Sequence, residues 1–451
     1  MKRKLISLLL CAAVTAGVLS GCGSQDDAGN AGSEAGEPSA GGEEQPSGAD
    51  EAGSGAGASV GTVSLRLWGA EEDQDLLAAL VEKFKAAYPD QDFDIQIGVE
   101  SESSAMDTVL KDVEAAADVF AFASDQLPQL VNAGALANLD EVGEALTVAG
   151  KTLDDVKAAN METAVEAASS NGNMYAFPMA GDNSYFMYYD SSIISDEDVQ
   201  NWDTLLAAAQ KGGKKAGMTF ASGWYAASFF YGAGFTTALN EDGSTSIDWN
   251  GTSPSGIKGT DVVKAMLKIA ADPAFLPVAD GQSSNILSSG DVCAIVSGTW
   301  DAVTAQKMFG ENYAAVKLPS FTIGDEKVQM APAYGYKFIG VNAYSEDSGW
   351  AVLLADFLTN EESQAERFAK RAIGPTNSNV LAADEVKSNI AIEAVTSQAE
   401  YGVLQIVGGK FWDPVKTLGE VIAQGGLKES DEAGIQDALD TLVEGVTAPV
   451  G

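Results

Sequence analysis

The sequence predicts an α/β protein with two lobes, each built on a mostly parallel β-sheet flanked by helices. The first observation is length: 451 residues exceed what one core accommodates, because single hydrophobic cores stop growing near about 250 to 300 residues. The second is an alternation of strand-like and helix-like apolar patterns that begins at Val63. Such an order favours parallel strands joined by right-handed crossovers.

The first 21 residues have the pattern of a secretory signal. The basic Lys2-Arg3-Lys4 precedes an apolar run over residues 5–18 that is too short for a permanent membrane span. The run ends in Leu19-Ser20-Gly21-Cys22, which resembles the lipobox of bacterial lipoproteins and implies a lipid on Cys22. An ordinary signal peptide that happens to contain a cysteine is the alternative.

Residues 22–60 are expected to form a disordered acidic Gly/Ser tether. Between Gly23 and Ser59 the chain has eight carboxylates, no basic residue and nothing apolar larger than alanine. Such a segment cannot bury a core. It is expected to act as a spacer that holds a folded domain away from a surface.

Charge and composition exclude several functional classes. The formal net charge is −39, so nucleic acid and anionic lipid surfaces should be repelled. The chain has no histidine, which argues against most hydrolases and zinc enzymes. Of its three cysteines, Cys11 leaves with the signal and Cys22 is the expected anchor, so Cys293 has no partner and is expected to be a buried apolar residue.

The elements of the first lobe follow in order. The predicted strands are Val63–Trp68, Phe93–Ile97 and Asp118–Phe122, and the predicted helices are Leu76–Ala87, before Pro89, and Ala105–Val113. Ligands bind outside the carboxyl ends of such strands. Residues 68–72 and 122–126 are therefore expected to meet at one rim.

A second set of elements begins near Asn183. The predicted strands are Tyr185–Tyr189, Val292–Val296 and Ala333–Val341, the last returning to the first lobe. Trp202 opens a helix and Thr219 leads into an aromatic-rich segment. Residues 350–371 are predicted to form one long amphipathic helix, and helices are also predicted over Val415–Ala423 and Ile435–Val443.

Several short motifs occur in a characteristic order from Val63 to Ala448. They are Leu67-Trp68-Gly69, Asp118-Val119-Phe120 followed by Asp125, Tyr175-Ala176-Phe177-Pro178, Ile295 to Trp300, Phe357 to Glu361, and Phe411-Trp412. This order resembles the extracellular solute-binding proteins of carbohydrate ABC importers, the maltose-binding protein group in particular. The resemblance implies a type II periplasmic-binding-protein-like fold with the ligand cleft between its lobes. It also implies no enzymatic activity, no cofactor and no metal.

The resemblance also implies the domain boundaries. The signal covers residues 1–21 and the tether 22–60. The N-terminal lobe is expected to comprise residues 61–180 and 336–373, and the C-terminal lobe residues 183–333 and 376–451.

Carried over position by position, the resemblance implies a set of ligand-binding residues. Trp300 and Trp412 fall where the family has stacking tryptophans, Phe122 on another aromatic, and Asp125 on a carboxylate that binds sugar hydroxyls. Gln126 replaces an expected basic residue, and Glu71 and Glu72 stand where maltose binders have a lysine, so maltose itself is in doubt. The full expected set is Trp68, Glu71, Glu72, Phe122, Asp125, Gln126, Asp182, Asn183, Trp224, Tyr225, Trp300 and Trp412.

These residue types suit a sugar, since aromatic planes match the C–H faces of pyranose rings and carboxylates or amides match the hydroxyl rim. Simpler roles compete with each assignment. Trp300 and Trp412 can be core residues, Asp125 can cap a helix, and Glu71 and Glu72 can be solvated.

The expected function is a lipid-anchored monomer that captures a neutral sugar or oligosaccharide and delivers it to the membrane permease of an ABC importer. It would act on the outer face of the cytoplasmic membrane, in a Gram-positive bacterium. One alternative is a cell-surface glycosidase that uses Asp125 and Asp182 as an acid and base pair. Another is a peptide or polyamine binder, which the strong negative charge favours.

Overall fold

The computed structural model describes residues 61–240 and 242–448. The predicted signal, the lipobox cysteine Cys22 and the tether lie outside the described residues. Within the described part of the chain, no helix is both long enough and apolar enough to cross a membrane.

The strands are short and distributed along the whole chain. In chain order they are β1 (Val63–Gly69), β2 (Phe93–Val99), β3 (Val119–Ala123), β4 (Ser169–Ser170), β5 (Asn173–Met174), β6 (Ala176–Ser184), β7 (Phe186–Asp190), β8 (Lys215–Met218), β9 (Thr237–Leu239), β10 (Thr245–Ile247), β11 (Phe275–Pro277), β12 (Val292–Ser297), β13 (Tyr313–Val316), β14 (Ser320–Ile323), β15 (Glu326–Gln329), β16 (Ala333–Val341) and β17 (Val403–Leu404).

The α-helices occupy the intervals between them. They are α1 (Gln74–Ala87), α2 (Ala105–Val109), α3 (Leu127–Asn132), α4 (Leu139–Val142), α5 (Leu153–Ala159), α6 (Glu162–Ala167), α7 (Trp202–Lys211), α8 (Gly223–Gly232), α9 (Gly259–Ala271), α10 (Ser283–Ser289), α11 (Ala302–Phe309), α12 (Ser348–Thr359), α13 (Glu361–Arg371), α14 (Ser378–Leu381), α15 (Asp384–Lys387), α16 (Ile390–Ser397), α17 (Trp412–Ala423) and α18 (Glu432–Thr447). Short 3-10 helices at Glu71–Asp73, Ser124–Gln126, Thr299–Asp301 and Gly409–Phe411 lie at strand or helix ends.

The first sheet has the order β17-β16-β3-β1-β2, with β6 paired to β16. Strands β1, β2 and β3 are parallel, as the alternating pattern predicts. Strand β16 runs antiparallel to β3, with Lys337 opposite Ala123. The carboxyl ends of β1 and β3 therefore lie at one edge, and this edge carries Trp68 and the Ser124–Gln126 turn.

The second sheet has the order β11-β8-β12-β7-β13. Strands β11, β8 and β12 are parallel, whereas β7 pairs antiparallel with both β12 and β13. Both sheets are thus mixed, and helices flank each of them. This architecture confirms the predicted α/β fold class.

Separate hydrophobic cores support the two sheets. Phe84, Phe120 and Phe338 belong to the core of the first sheet, and Trp202 and Phe229 to that of the second. Cys293 of β12 is buried in the second core, and burial raises the pKa of its thiol to about 11. The predicted role of Cys293 as a buried apolar residue is confirmed.

Two predicted helices differ from those observed. The expected single helix over residues 350–371 is two helices, α12 and α13, because Asn360 has an extended backbone and its side chain accepts a hydrogen bond from Ser363 N as the N-cap of α13. Helix α2 ends at Val109 rather than Val113. Asp112 there accepts a hydrogen bond from Ala115 N at 3.1 Å, which forms a turn into β3.

Candidate functional site

The first side of the candidate site is the edge at which β1 and β3 end. Trp68, the penultimate residue of β1, is half-buried. Its indole lies against Gly98, where an added Cβ would be 2.8 Å from the ring. Glu71 and Glu72 follow on the 3-10 helix Glu71–Asp73, with both side chains exposed.

Asp125 lies in the 3-10 turn directly after β3 and is half-buried. The turn is held against β16, because Tyr336 N donates to Ser124 Oγ at 3.0 Å. Burial raises the pKa of Asp125 to about 6, a shift that a hydrogen bond from its own backbone only partly opposes. A carboxylate in this environment accepts hydrogen bonds from hydroxyl groups strongly, because little water competes with them.

Two residues expected to bind ligand have structural roles instead. Phe122 is fully buried and packs against Phe120 and Phe338, with ring centroids 5.7 and 5.8 Å away, so it offers no ring face to a sugar. Strand β3 is covered on both faces, and a period-2 pattern does not reveal this.

Gln126 is also buried, and its amide is fully engaged. It donates to Glu102 O and Ser103 O and accepts from Met106 N, at 2.7, 2.9 and 2.9 Å. Gln126 therefore fastens the loop before α2 to the β3 turn, and neither of its N–H donors is left for a ligand.

The second side of the site is formed by the starts of α8 and α17. Gly223, the first residue of α8, lies against the rings of Phe411 and Trp412, since an added Cβ would be 3.1 Å from each. The next residues, Trp224 and Tyr225, pack around Tyr185, with ring centroids 5.6 and 4.8 Å from it. Three of the predicted aromatic residues are thereby brought together.

Trp300 extends this aromatic wall at the end of β12. Its six-membered ring lies directly against Gly298, where an added Cβ would be 2.1 Å from the ring, so any side chain at position 298 would displace the indole. Ser297, the last residue of β12, donates to Asp301 Oδ2 at 2.6 Å and lies near the side chain of Tyr225. The end of β12 is therefore close to the start of α8.

Two contacts connect the two sides. Lys337 Nζ of β16 lies over the ring of Trp300, 5.8 Å from its centroid. The side chain of Thr299 lies near the carboxylate of Asp182 in β6, where it partly opposes the rise in pKa that burial causes. The candidate site is thus bounded below by β6 and β16, the strands that the resemblance assigns to the lobe crossings.

Charged groups of both signs, buried or half-buried, lie around this floor. Lys337 Nζ is 3.4 Å from Glu102 Oε1, and Arg371 Nε is 3.0 Å from Asp73 Oδ1. Arg367, only 2% exposed, has its Nη1 3.9 Å from Asp73 Oδ2. Burial alone would lower the pKa of Lys337, but the nearby carboxylates of Glu102, Asp73 and Asp182 raise it.

These six groups are called the floor cluster below: Asp73, Glu102, Asp182, Lys337, Arg367 and Arg371. With three carboxylates and three cations, its formal charge is zero. Charge balance is required here, because an unpaired charge in a buried position costs several kcal/mol.

Asp182 is engaged by the protein itself. Its carboxylate accepts a hydrogen bond from Gly374 N, and burial raises its pKa. It connects β6 to the 371–376 segment and lies near the end of β12. Its neighbour Asn183 is half-buried and pairs with Gly335 of β16. Ligand binding by either residue remains a prediction.

Two surface depressions lie elsewhere. One of about 610 Å³ lies between α13 and helices α14 and α15, and one of about 310 Å³ lies between α9 and the segment after α17. None of the twelve expected ligand-binding residues lines either depression. The candidate site is therefore defined by the residue types at the ends of β1, β3 and β12 and at the starts of α8 and α17, and not by either depression.

Sequence reasoning missed Lys337, Glu102 and Thr299. A signal existed for Lys337, which is the only charged residue of the predicted strand Ala333–Val341. Thr299 directly precedes Trp300 and lies within the motif from Ile295 to Trp300. Glu102 lies in an irregular segment between β2 and α2, where no periodicity indicates which side chain turns inward.

Comparison with known proteins identifies relatives of this architecture. A family model described as bacterial extracellular solute-binding protein matches residues 79–394. A comparison with curated proteins gives no match.

Many solved structures share the fold. One, solved with acarbose, is 28% identical with a TM-score of 0.73, covering 86% of this chain and 99% of the other. The maltodextrin binding protein MalE1 from L. casei BL23 is 24% identical with a TM-score of 0.67, covering 86% and 99%. The Thermus thermophilus maltotriose binding protein is 16% identical with a TM-score of 0.70, covering 86% and 100%.

The raised pKa of Asp125 predicts a pH-dependent effect on stability. With a folded pKa of about 6 against an ordinary value of 3.8, the folded protein binds more protons than the unfolded chain between these values, so this group's contribution to stability falls as pH rises through that window. Asp125→Asn removes this loss. Calorimetric unfolding should show the variant gaining stability relative to wild type at pH 7, and gaining less or none at pH 4.

Glu72→Gln, at an exposed carboxylate, is the matched control and should show no such pH-dependent difference. If the difference in unfolding free energy between Asp125→Asn and wild type stayed constant from pH 4 to 7, the raised pKa of Asp125 would be contradicted.

Proposed function

This chain belongs to the bacterial extracellular solute-binding proteins, and we propose that its solute is a neutral sugar or short oligosaccharide, which it delivers to the permease of an ABC importer. The family consists of binding proteins and not of enzymes, so the glycosidase alternative is set aside. The observations that carry the proposal are the aromatic side chains Trp224, Tyr225, Trp300 and Trp412 at the element ends of the second sheet and the half-buried Asp125 at the end of β3.

The chemistry of this arrangement suits a pyranose ring. An indole face packs against the apolar C–H face of the sugar, and its hydroxyl rim is left for groups such as Asp125 and Lys337. The named relatives bind maltodextrins or maltotriose, and the 28% identical structure was solved with acarbose. Each of these ligands is a short oligosaccharide, which supports the same class here.

We further propose that capture involves closure of two lobes, residues 61–180 with 336–373 and residues 183–333 with 376–451. The contacts of Lys337 with Trp300 and of Asp182 with Thr299 lie next to the proposed crossings. Rotation about crossings of this kind would close the sheets around a bound sugar and exclude water, which strengthens the polar contacts.

Attachment to the membrane is proposed through a lipid on Cys22, on the outer face of the cytoplasmic membrane of a Gram-positive bacterium. In cells supplied with labelled palmitate, the wild-type protein should carry the label. Cys22→Ser should lose the label and appear in the medium. An unlabelled wild-type protein, or a Cys22→Ser variant that stays with the membrane, would contradict lipid anchoring.

Titration calorimetry tests the sugar proposal. Maltotriose, maltotetraose and acarbose are compared with a tripeptide and spermidine, and only the saccharides should bind. Trp300→Ala should weaken saccharide binding by about 2 kcal/mol or more, as expected for a central aromatic contact. The exposed aromatic Tyr344, 54% accessible, provides the control variant Tyr344→Ala, which should bind as wild type does.

Binding of spermidine or the tripeptide without any saccharide would overturn the sugar assignment. An unchanged dissociation constant in Trp300→Ala would instead remove Trp300 from the site while leaving the ligand class intact.

A further inference from the structure

We propose that Lys337 contacts the ligand and determines specificity. In the structure its ammonium lies over the ring of Trp300. When a sugar stacks on that ring, the ammonium donates a hydrogen bond to one of the sugar's hydroxyl oxygens. The inference rests on the proposed function, because it assigns a residue to the same site. Sequence comparison with the maltose binders did not suggest it, since their lysine corresponds to Glu71 and Glu72 in this chain.

The position of Lys337 is set by the sheet. It lies in the middle of β16, opposite Ala123 of β3. Ala123 comes two residues before Asp125 in the chain. Its side chain is 14% exposed, and its Nζ is 5.8 Å from the centroid of Trp300. Gly298 supports the indole from within its own loop, and the ammonium reaches the ring from β16.

The hydrogen-bonding capacity of Lys337 is incompletely used. An ammonium group has three N–H donors. Within residues 61–240 and 242–448 the ion-pair partner of Lys337 is Glu102, whose Oε1 lies 3.4 Å from Nζ. At least two donors are therefore left for other acceptors, such as the hydroxyl oxygens of a pyranose stacked on Trp300, whose ring centroid is 5.8 Å from Nζ.

The charge balance of the floor cluster keeps Lys337 a cation. Its pKa is raised by Glu102, Asp73 and Asp182 despite burial, while Asp73 is also held by Arg367 and Arg371. A fixed positive charge at the ring of Trp300 attracts neutral oxygen acceptors and repels ammonium groups. Lys337 should accordingly select hydroxylated rings and reject polyamines at this position.

Sugar stacking on Trp300 would require the ammonium to move from the ring toward Glu102 and the sugar. Removing Lys337 therefore has two opposite effects: it uncovers the ring and it deletes a charged donor. A hydrogen bond to a charged group is stronger than a surface cation–π contact, so the loss of the donor should dominate.

The experiment is a thermodynamic cycle that combines removal of the Lys337 ammonium with removal of individual sugar hydroxyls, and calorimetry measures the binding free energies. Wild type and Lys337→Met are each titrated with maltotriose and with its monodeoxy analogues. Lys337→Met should bind maltotriose at least tenfold more weakly. One analogue lacks the hydroxyl that Lys337 contacts. Wild type should bind this analogue more weakly than maltotriose, whereas Lys337→Met should bind the two sugars equally.

The matched control is Lys317→Met, because Lys317 Nζ also lies over an aromatic ring, 4.9 Å from the centroid of Tyr401, but outside the site. It should bind all the sugars as wild type does. Since Lys337→Met leaves Glu102 buried without its cation, the double variant Glu102→Gln/Lys337→Met restores charge balance and should show the same weak binding.

The outcomes separate the two proposals. If wild type binds none of the maltodextrins tested, the proposed function fails and Lys337 fails with it as a sugar contact. If wild type binds maltotriose and both Lys337 variants bind it equally well or more tightly, the inference alone is overturned. The same holds if every deoxy analogue loses affinity equally in wild type and variant.

Discussion

The candidate site depends on the floor cluster, in which Asp73, Glu102, Asp182 and Arg367 are buried and Lys337 and Arg371 are half-buried. The cluster is expensive to bury and is tolerated because its charges balance. Arg367 shows how strict this requirement is: among the described residues its three side-chain nitrogens have no hydrogen-bond partner, and only the carboxylate of Asp73, 3.9 Å away, compensates its charge. Pairing with β3 and β6 fixes β16, and β16 places Lys337 over the ring of Trp300.

The two sheets contribute different chemistry to the site. The first provides polar groups from strand ends and the middle of β16. The second provides aromatic rings from the end of β12 and from the starts of α8 and α17, held close by Gly223 and Gly298. Both glycines allow a ring to rest directly on the main chain, so the rings are supported from behind and can present their other surfaces to a ligand.

The sequence predicted the fold well, because the parallel strands at Val63, Phe93 and Val119 have simple apolar patterns and are joined by segments that contain helices. It predicted the aromatic wall through motif order and not through periodicity. It failed where a contact is made across the fold: Phe122 lies on a strand covered on both faces, and Gln126 bonds to a loop some twenty residues earlier. The break at Asn360 was hidden because the apolar spacing continues through a capping residue. Lys337 and Glu102 could be paired only after β16 was placed beside β3.

The central claim is that a sugar ring is held between the aromatic wall of the second sheet and the polar groups of the first. A crystal structure of the protein with maltotriose tests it most directly. The account predicts a glucose ring stacked on Trp300, with its hydroxyls within hydrogen-bonding distance of Asp125 and Lys337. Maltotriose bound elsewhere on the surface, with Lys337 still covering Trp300, would contradict it.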